Sequence, residues 1–506
     1  LNSLEDENKY KIFSIICFSR SSLNGNSMKL VKFFIWVLFT FTIAQPYSSA
    51  QEWTVSQDVK LVKDTYFKIL GKWGQDYKMA RIGNNFVELL TYKEDLTVRW
   101  GRVLDIVQDA PVIHEVFEGD NKFYLLYSIQ QGDSTRLLLS RYDRNGTIVS
   151  NMILKTVSAE LGRPIYDPML SLNNEWITFS FMGADGLFEL LIVNLDGLVK
   201  VREDVYDLSS FKLEGTYPHV HITDDGQVFI FVEYFELIQN RPQQFMTVLQ
   251  VFLDDRPTVT KEVSFGAVVV ESPIFAYYPD NESINIFGIY RDFRIAAGMG
   301  IYHKVIYTDF TKDDKSSTFP IESALLNQFH KKSRNALPGI PGLRMAEAKF
   351  RADGSASILA EVRFDVPRES SVGGLRGQLD MDHFYEEIFA MTIKPDGSPG
   401  FQRLMNKVQH SYNDNAVKSS FFDLEMGEVS LLIFNESIKK NAPVKAFELN
   451  WQSGSIQEKN LFDEKRHSKE LIIEKAFKVS DNEVLIPSKS GRVANLVRFR
   501  IAPVGS

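Results

Sequence analysis

The feature that most constrains the fold is a recurrence. Short apolar runs, rich in Phe, Tyr, Val and Ile, return along the chain at intervals of roughly 45 to 75 residues, the range of repeat architectures. NKFYLLYSI, NEWITFSFM, GQVFIFVEYF, SINIFGIY, ASILAEVRF, EVSLLIFN and EVLIPS are examples, each bounded by Asp, Asn or Gly. Such runs suit a pleated, half-buried surface. The third recurrence resolves into four strands: DPMLSLN innermost, then NEWITFSFM, LFELLIVNL and the more polar LVKVREDVYD. The fourth repeats the scheme with YPHVHITDDG, QVFIFVEYF, FMTVLQVFLDD and PTVTKEVSF. Asp196-Gly197 predicts a tight hairpin turn, because glycine accepts positive φ. Units begin near Tyr66, Val112, Asp167, Tyr217, Ser272, Leu343, Asn415 and Leu471. The last offers three strands only, and the unassigned WTVSQDVKL before the first supplies a fourth. Pairing the two ends removes exposed sheet edges. The expectation is an all-β chain forming a single β-propeller of eight blades, closed by N- and C-terminal strands. Seven blades is the competing count. A pair of β-sandwiches also gives many short strands but leaves the complementary ends unexplained.

Ahead of the repeats, Met28 opens MKLVKFFIWVLFTFTIAQPYSSAQEW. Lys29 and Lys32 form a basic flank, Phe33 to Ile43 an apolar run of about eleven residues, and Ser48 and Ala50 a small-residue site. This order predicts a signal peptide over 28–50, cleaved before Gln51, with 1–27 read as upstream sequence and 51–506 as the propeller. The single cysteine, Cys17, lies in 1–27, so the mature chain has no disulfide and no cysteine metal site. Export without cysteine suits a bacterial envelope, periplasmic or at the outer membrane. No later segment approaches eighteen consecutive apolar residues, which argues against a transmembrane helix in the mature chain. The net charge of −8, from 57 basic and 65 acidic residues, argues against nucleic acid as a partner.

Two stretches interrupt the pattern. IESALLNQFHKKSRNA (321–336) places Ile321, Leu325, Leu326 and Phe329 on one helical face, which predicts an amphipathic helical insert. Pro367 to Asp382 reads as a long glycine-containing loop. No nucleophile elbow, HExxH, P-loop or EF-hand motif is present, so neither a catalytic residue nor a cofactor is assigned. Three weaker constellations stand out. His219 and His221 fall on one face of a strand, as half of a metal site would. Asp380 and Asp382, with His383, Glu386 and Glu387, offer oxygen ligands for calcium. Arg291, Asp292 and Arg294 mix charge with glycine in a loop suited to an anion or a glycan. In each case packing or a solvated turn is the competing reading. Asn145, Asn281 and Asn435 head N-x-S/T sequons, which mark surface turns where they are glycosylated.

TYPHVHITDDGQVFIF and AKFRADGSASILAEV resemble the PD40 repeats of TolB-type propellers. Over about the C-terminal half, Pro395-Asp396-Gly397, Lys407-Val408-Gln409 and Phe434-Asn435-Glu436 are similar to segments of exported propeller-like proteins of Bacteroidota. In those the last segment reads Tyr-Asn-Asp/Glu, so this chain departs there. The resemblance implies an exported, envelope-associated propeller and carries no activity. The function expected is a non-enzymatic binding or scaffolding module with a protein or glycan partner. The alternative is a glycan-processing hydrolase or lyase with carboxylates at the central channel.

Overall fold

In a computed structural model, the chain is described over residues 51–501, apart from 61–64, 107–110, 120, 159–166, 184, 212–216, 331–337, 369–379, 413, 415, 439–442, 462–469 and 492. The signal-peptide expectation over 28–50 lies outside these residues. The ring is carried by the compact unit Glu52–Arg500.

Eight antiparallel sheets form an eight-bladed β-propeller. The first strands of blades one to seven are Tyr66–Trp73, Val112–Gly119, Asp167–Leu170, His219–Ile222, Val269–Tyr278, Leu343–Phe350 and Phe422–Met426. Blade eight is assembled from both ends: Phe477–Ser480, Glu483–Ser490 and Val493–Ile501 come from the C-terminus, and Gln51–Val55 completes the sheet. The closing strand extends through Val59–Lys60, which pairs with Val493 and Ala494. Neighbouring sheets touch through their first strands: Tyr66–Trp73 with Val112–Gly119, Val269–Tyr278 with Leu343–Phe350, and Tyr66–Trp73 with Phe477–Ser480. First strands are therefore innermost. Six of the expected starts fall within three residues of the observed ones. The seventh and eighth first strands begin later, at Phe422 and Phe477, and Asn415 lies outside the described residues.

The core lies between blades, because each sheet presents apolar side chains to both neighbours. Phe123, Leu125 and Tyr127 of blade two pack on Leu70, Ala80 and Leu89 of blade one. On their other side, Tyr124, Leu126 and Leu139 meet Phe179 and Leu191 of blade three. Period-two alternation thus builds two different cores from one strand. The outermost strands are polar: Val199–Asp207 has no buried residue.

One turn departs from expectation for a physical reason. In the Asp196-Gly197 turn the left-handed residue is Leu198, with φ +49°, and in the matching turn of blade one it is Leu96, with φ +59°. Left-handed backbone is costly for leucine. Both side chains are buried between blades, Leu96 fully, and that burial offsets the strain. Asp225-Gly226 does follow the expected chemistry, with Gly226 at φ +84°.

The insert forms a helix, α1, over Ser323–His330, and 331–337 lies outside the described residues. The expected loop at 367–382 is instead strand at both ends. Ala356–Arg368 and Asp380–Ile393 form a long hairpin, paired from Ala356↔Ile393 out to Arg368↔Asp380 with one register shift between Glu361 and Arg363. The fourth strand of blade six breaks after Met405 and resumes as Gln409–Tyr412 along the far end of that hairpin. A three-stranded extension therefore projects from blade six.

Candidate functional site

The sequence-derived candidates fall into three places that the fold does not bring together. His219 and His221 sit on the first strand of blade four. The His219 ring lies 5.2 Å from Phe275 of blade five, in a tilted stack. Burial lowers the pKa of both imidazoles, and Asp167 and Asp224 respectively raise them in part. Both rings are thus biased toward the neutral form, and that of His219 packs on its neighbour. Among the described residues no three His, Asp or Glu side chains form a metal-binding group.

Asp380 and Asp382 lie on a strand rather than in a calcium-type loop. Asp382 accepts a hydrogen bond from His410 Nε2 at 2.7 Å, and His383 Nδ1 reaches Asp365 Oδ1 at 2.6 Å on the opposite face. These contacts stitch the extension of blade six together. Asp380 pairs with Arg368 in the strand register.

Arg291 closes the second strand of blade five. Its Nε donates to Glu271 at 2.6 Å, and its Nη1 donates to the carbonyls of Asp292 and Phe293. Asp292 accepts the backbone N–H of Arg294 at 2.8 Å. Arg291 and Asp292 thus shape a turn, and Arg294 extends into solvent.

Polar residues of two segments that resemble exported propellers, Lys407, Gln409 and Asn435, prove to be interior. Lys407 and Glu361 are fully buried and 2.6 Å apart. Glu361 Oε2 also accepts from Arg363 Nε at 2.8 Å and from Ser420 Oγ at 2.7 Å. Lys407 donates to Gln409 Oε1, which in turn donates through Nε2 to the Asn435 carbonyl at 2.6 Å. The Asn435 amide then donates to the carbonyls of Lys418 and Leu471, each at 2.8 Å. This chain of bonds runs from blade six through blade seven to the segment entering blade eight. Asn435 is 4% exposed, so its sequon does not mark a surface turn. Pro395-Asp396-Gly397, by contrast, is an exposed turn in which Asp396 accepts from Ser398.

Sequence reasoning missed the charged groups on the inner strands. Between blades six and seven, Lys349 Nζ lies 2.6 Å from Glu347, 3.4 Å from Asp423 and 3.9 Å from Glu425, and Arg351 lies 3.4 Å from Glu425. Burial, reinforced by the adjacent Asp423 carboxylate and offset by Lys349, pushes Glu347 up to about 7. Between blades one and two, Lys68 pairs with Glu115 at 2.9 Å, beside a cavity of about 230 Å³. There burial and Glu115 push Tyr66 up to about 12. The signal was present: Glu347 and Lys349 stand two apart in LRMAEAKF, and FDLEM carries acids two apart.

The Glu347 shift makes a prediction about pH. A carboxyl whose folded pKa lies above its ordinary value of 4.5 holds its proton more tightly when folded. Its contribution is full at low pH and is lost as pH rises from about 4.5 to about 7. Glu347→Gln keeps a neutral donor beside Asp423. The variant should therefore show a flatter dependence of denaturation midpoint on pH across that window than the unsubstituted chain.

No protein-family model and no curated protein matches the sequence. Solved structures of propellers are similar at low identity. A prolyl endopeptidase is matched over 85% of this chain at 9% identity with a TM-score of 0.42, and this chain spans 55% of that protein's length. The β-propeller domain of the Trilobed protease from Pyrococcus furiosus is matched over 80% of this chain and 100% of its own, at 9% identity and a TM-score of 0.37. A periplasmic gluconolactonase from Pseudomonas aeruginosa is matched over 87% and 100%, at 14% identity and a TM-score of 0.36. At these identities the likeness concerns the fold alone.

Proposed function

We propose that the chain is a non-enzymatic, exported propeller of the bacterial envelope that binds a protein partner on one ring face. The observation that carries this reading is the long hairpin of blade four. Val228–Ile238 and Arg241–Val251 pair without a break out to Ile238↔Arg241. Gln239 and Asn240 turn the tip with φ +52° and +63°, the geometry that matches strand twist. A rigid arm of this kind presents Phe235, Leu237 and Ile238 to solvent, with Leu237 76% exposed. Turns between second and third strands lie at the same end of the ring as the entries to the first strands. Exposed Tyr217, Phe293 and Val366 therefore belong to that same face. A group of exposed apolar side chains on one face marks an interaction surface, and aromatic anchors carry much of the energy of such interfaces.

The test is affinity purification from crosslinked native envelope, comparing the unsubstituted chain with Leu237→Asp. The expected result is a stoichiometric protein partner that the variant loses, with at least about thirtyfold weaker binding and an unchanged fold. Recovery of the chain alone, or equal recovery by the variant, would sink the proposal.

Carboxylate chemistry at the channel has one observation in its favour, the raised pKa of Glu347 beside the Asp423 carboxylate. Lys349 and Arg351 neutralise most of that group, which suits cohesion between blades better than turnover. Release of reducing ends from envelope polysaccharide, abolished by Glu347→Gln, would reverse this preference.

A further inference from the structure

The cavity at the inner edge of the ring has a chemistry unrelated to the proposed partner face. It opens between the first strands of blades one and two and the segment entering blade eight, and its volume is about 230 Å³. Phe67, Ile69 and Phe477 give it an apolar side, and Tyr66 adds a π-face. The charges on its wall are answered locally with one exception. Lys68 holds Glu115 at 2.9 Å, and Lys475 holds Glu474 at 2.8 Å. Glu118 lines the same space, and among the described residues its carboxyl group has neither a hydrogen bond nor an ion pair.

We propose that this cavity binds a small primary ammonium carried on an aromatic or alicyclic ring, with Glu118 as its counter-ion. The size argument is proportional. A cavity of about 150 Å³ admits benzene, so this one admits a six-membered ring bearing a short substituent, roughly nine heavy atoms. The charge argument concerns what the wall lacks. Burial pushes the Glu118 carboxyl up, Lys68 offsets that in part, and Glu115 adds to it. An ammonium restores the ionised form, since a buried charge is tolerated when paired and hydrogen-bonded. The Tyr66 ring adds a cation–π surface near the mouth. A neutral molecule of the same shape leaves Glu118 unanswered, and an anionic one is repelled, so the site discriminates by charge.

The experiment titrates the full chain with three probes of one shape: phenethylammonium, 2-phenylethanol and phenylacetate. Binding is followed by calorimetry and by hydrogen exchange at Tyr66–Ile69 and Ala476–Phe477. The ammonium should bind at least about tenfold more tightly than the alcohol, with phenylacetate showing no binding and protection confined to those two segments and to Glu115–Glu118. Glu118→Gln should remove the advantage of the ammonium and leave the alcohol unchanged. Equal binding of all three probes, no binding of the ammonium, protection elsewhere, or an unaltered preference in Glu118→Gln would each overturn the proposal. The exchange readout on the unsubstituted chain stands even if the variant fails to fold.

Discussion

Lys407→Ala should cost about 3–5 kcal/mol of stability, the loss expected when one partner of a buried ion pair is removed. The Lys407 and Glu361 side chains are both fully buried, and their separation is 2.6 Å. Without the ammonium, Glu361 retains Arg363 and Ser420 but loses its Lys407 partner in the protein interior. Gln409 loses a donor as well, and the path from blade six to Asn435 is weakened. The double variant Lys407→Met, Glu361→Leu should recover most of the loss, because apolar groups of similar volume replace such pairs at little cost. Denaturant midpoints of the three chains check this. Equal destabilisation by the single and double variants would show that packing, and not the unpaired charge, sets the cost.

The second large effect is expected where the ring closes. Arg498 is almost fully buried in blade eight and donates to Glu52 Oε1 at 3.0 Å and Thr54 Oγ1 at 2.9 Å on the closing strand. It also donates to the Tyr77 hydroxyl and the Glu94 carbonyl of blade one. Tyr77 in turn donates to Glu483, which Arg500 holds at 2.6 Å. Trp53 against Phe499, at 4.4 Å, supplies the apolar part of the closure. Arg498→Ala should cost roughly 3 kcal/mol, with hydrogen exchange accelerated first over Glu52–Lys60. Removal of residues 51–60 should go further. It leaves Val493–Ile501 as an unpaired edge, which predicts concentration-dependent association. A deletion variant that remains monomeric with an unchanged midpoint would contradict closure by this strand.

Much of the ring was legible in the chain because its signals are local. Strand alternation, Asp and Gly at the turns, and the three-stranded last unit with a spare strand at the front all act within a few residues. Six of the eight blade starts follow from them. The segments that enter blades seven and eight carry no periodicity that marks the first strand. The Leu96 and Leu198 turns were not legible, since burial between blades overrides the turn propensity of glycine there. The buried polar path was hidden because its partners are distant in sequence. Lys407, Gln409 and Asn435 could be singled out as a pattern, but nothing local shows that they meet Glu361 in the interior. Arg291 similarly read as an open loop charge until Glu271 was placed beside it. Glu118 carried no signal at all, because its lack of a partner is a property of the assembled ring.

The measurement that bears most directly on the proposed role is hydrogen exchange on the chain bound to the partner recovered from crosslinked envelope. A partner seated on the face of the long hairpins should protect Glu233–Gln243 and the 291–299 turn. It should leave the opposite turns at Asp309–Lys312 and Lys394–Ser398 unchanged. Protection of those opposite turns with a freely exchanging hairpin tip would contradict the account.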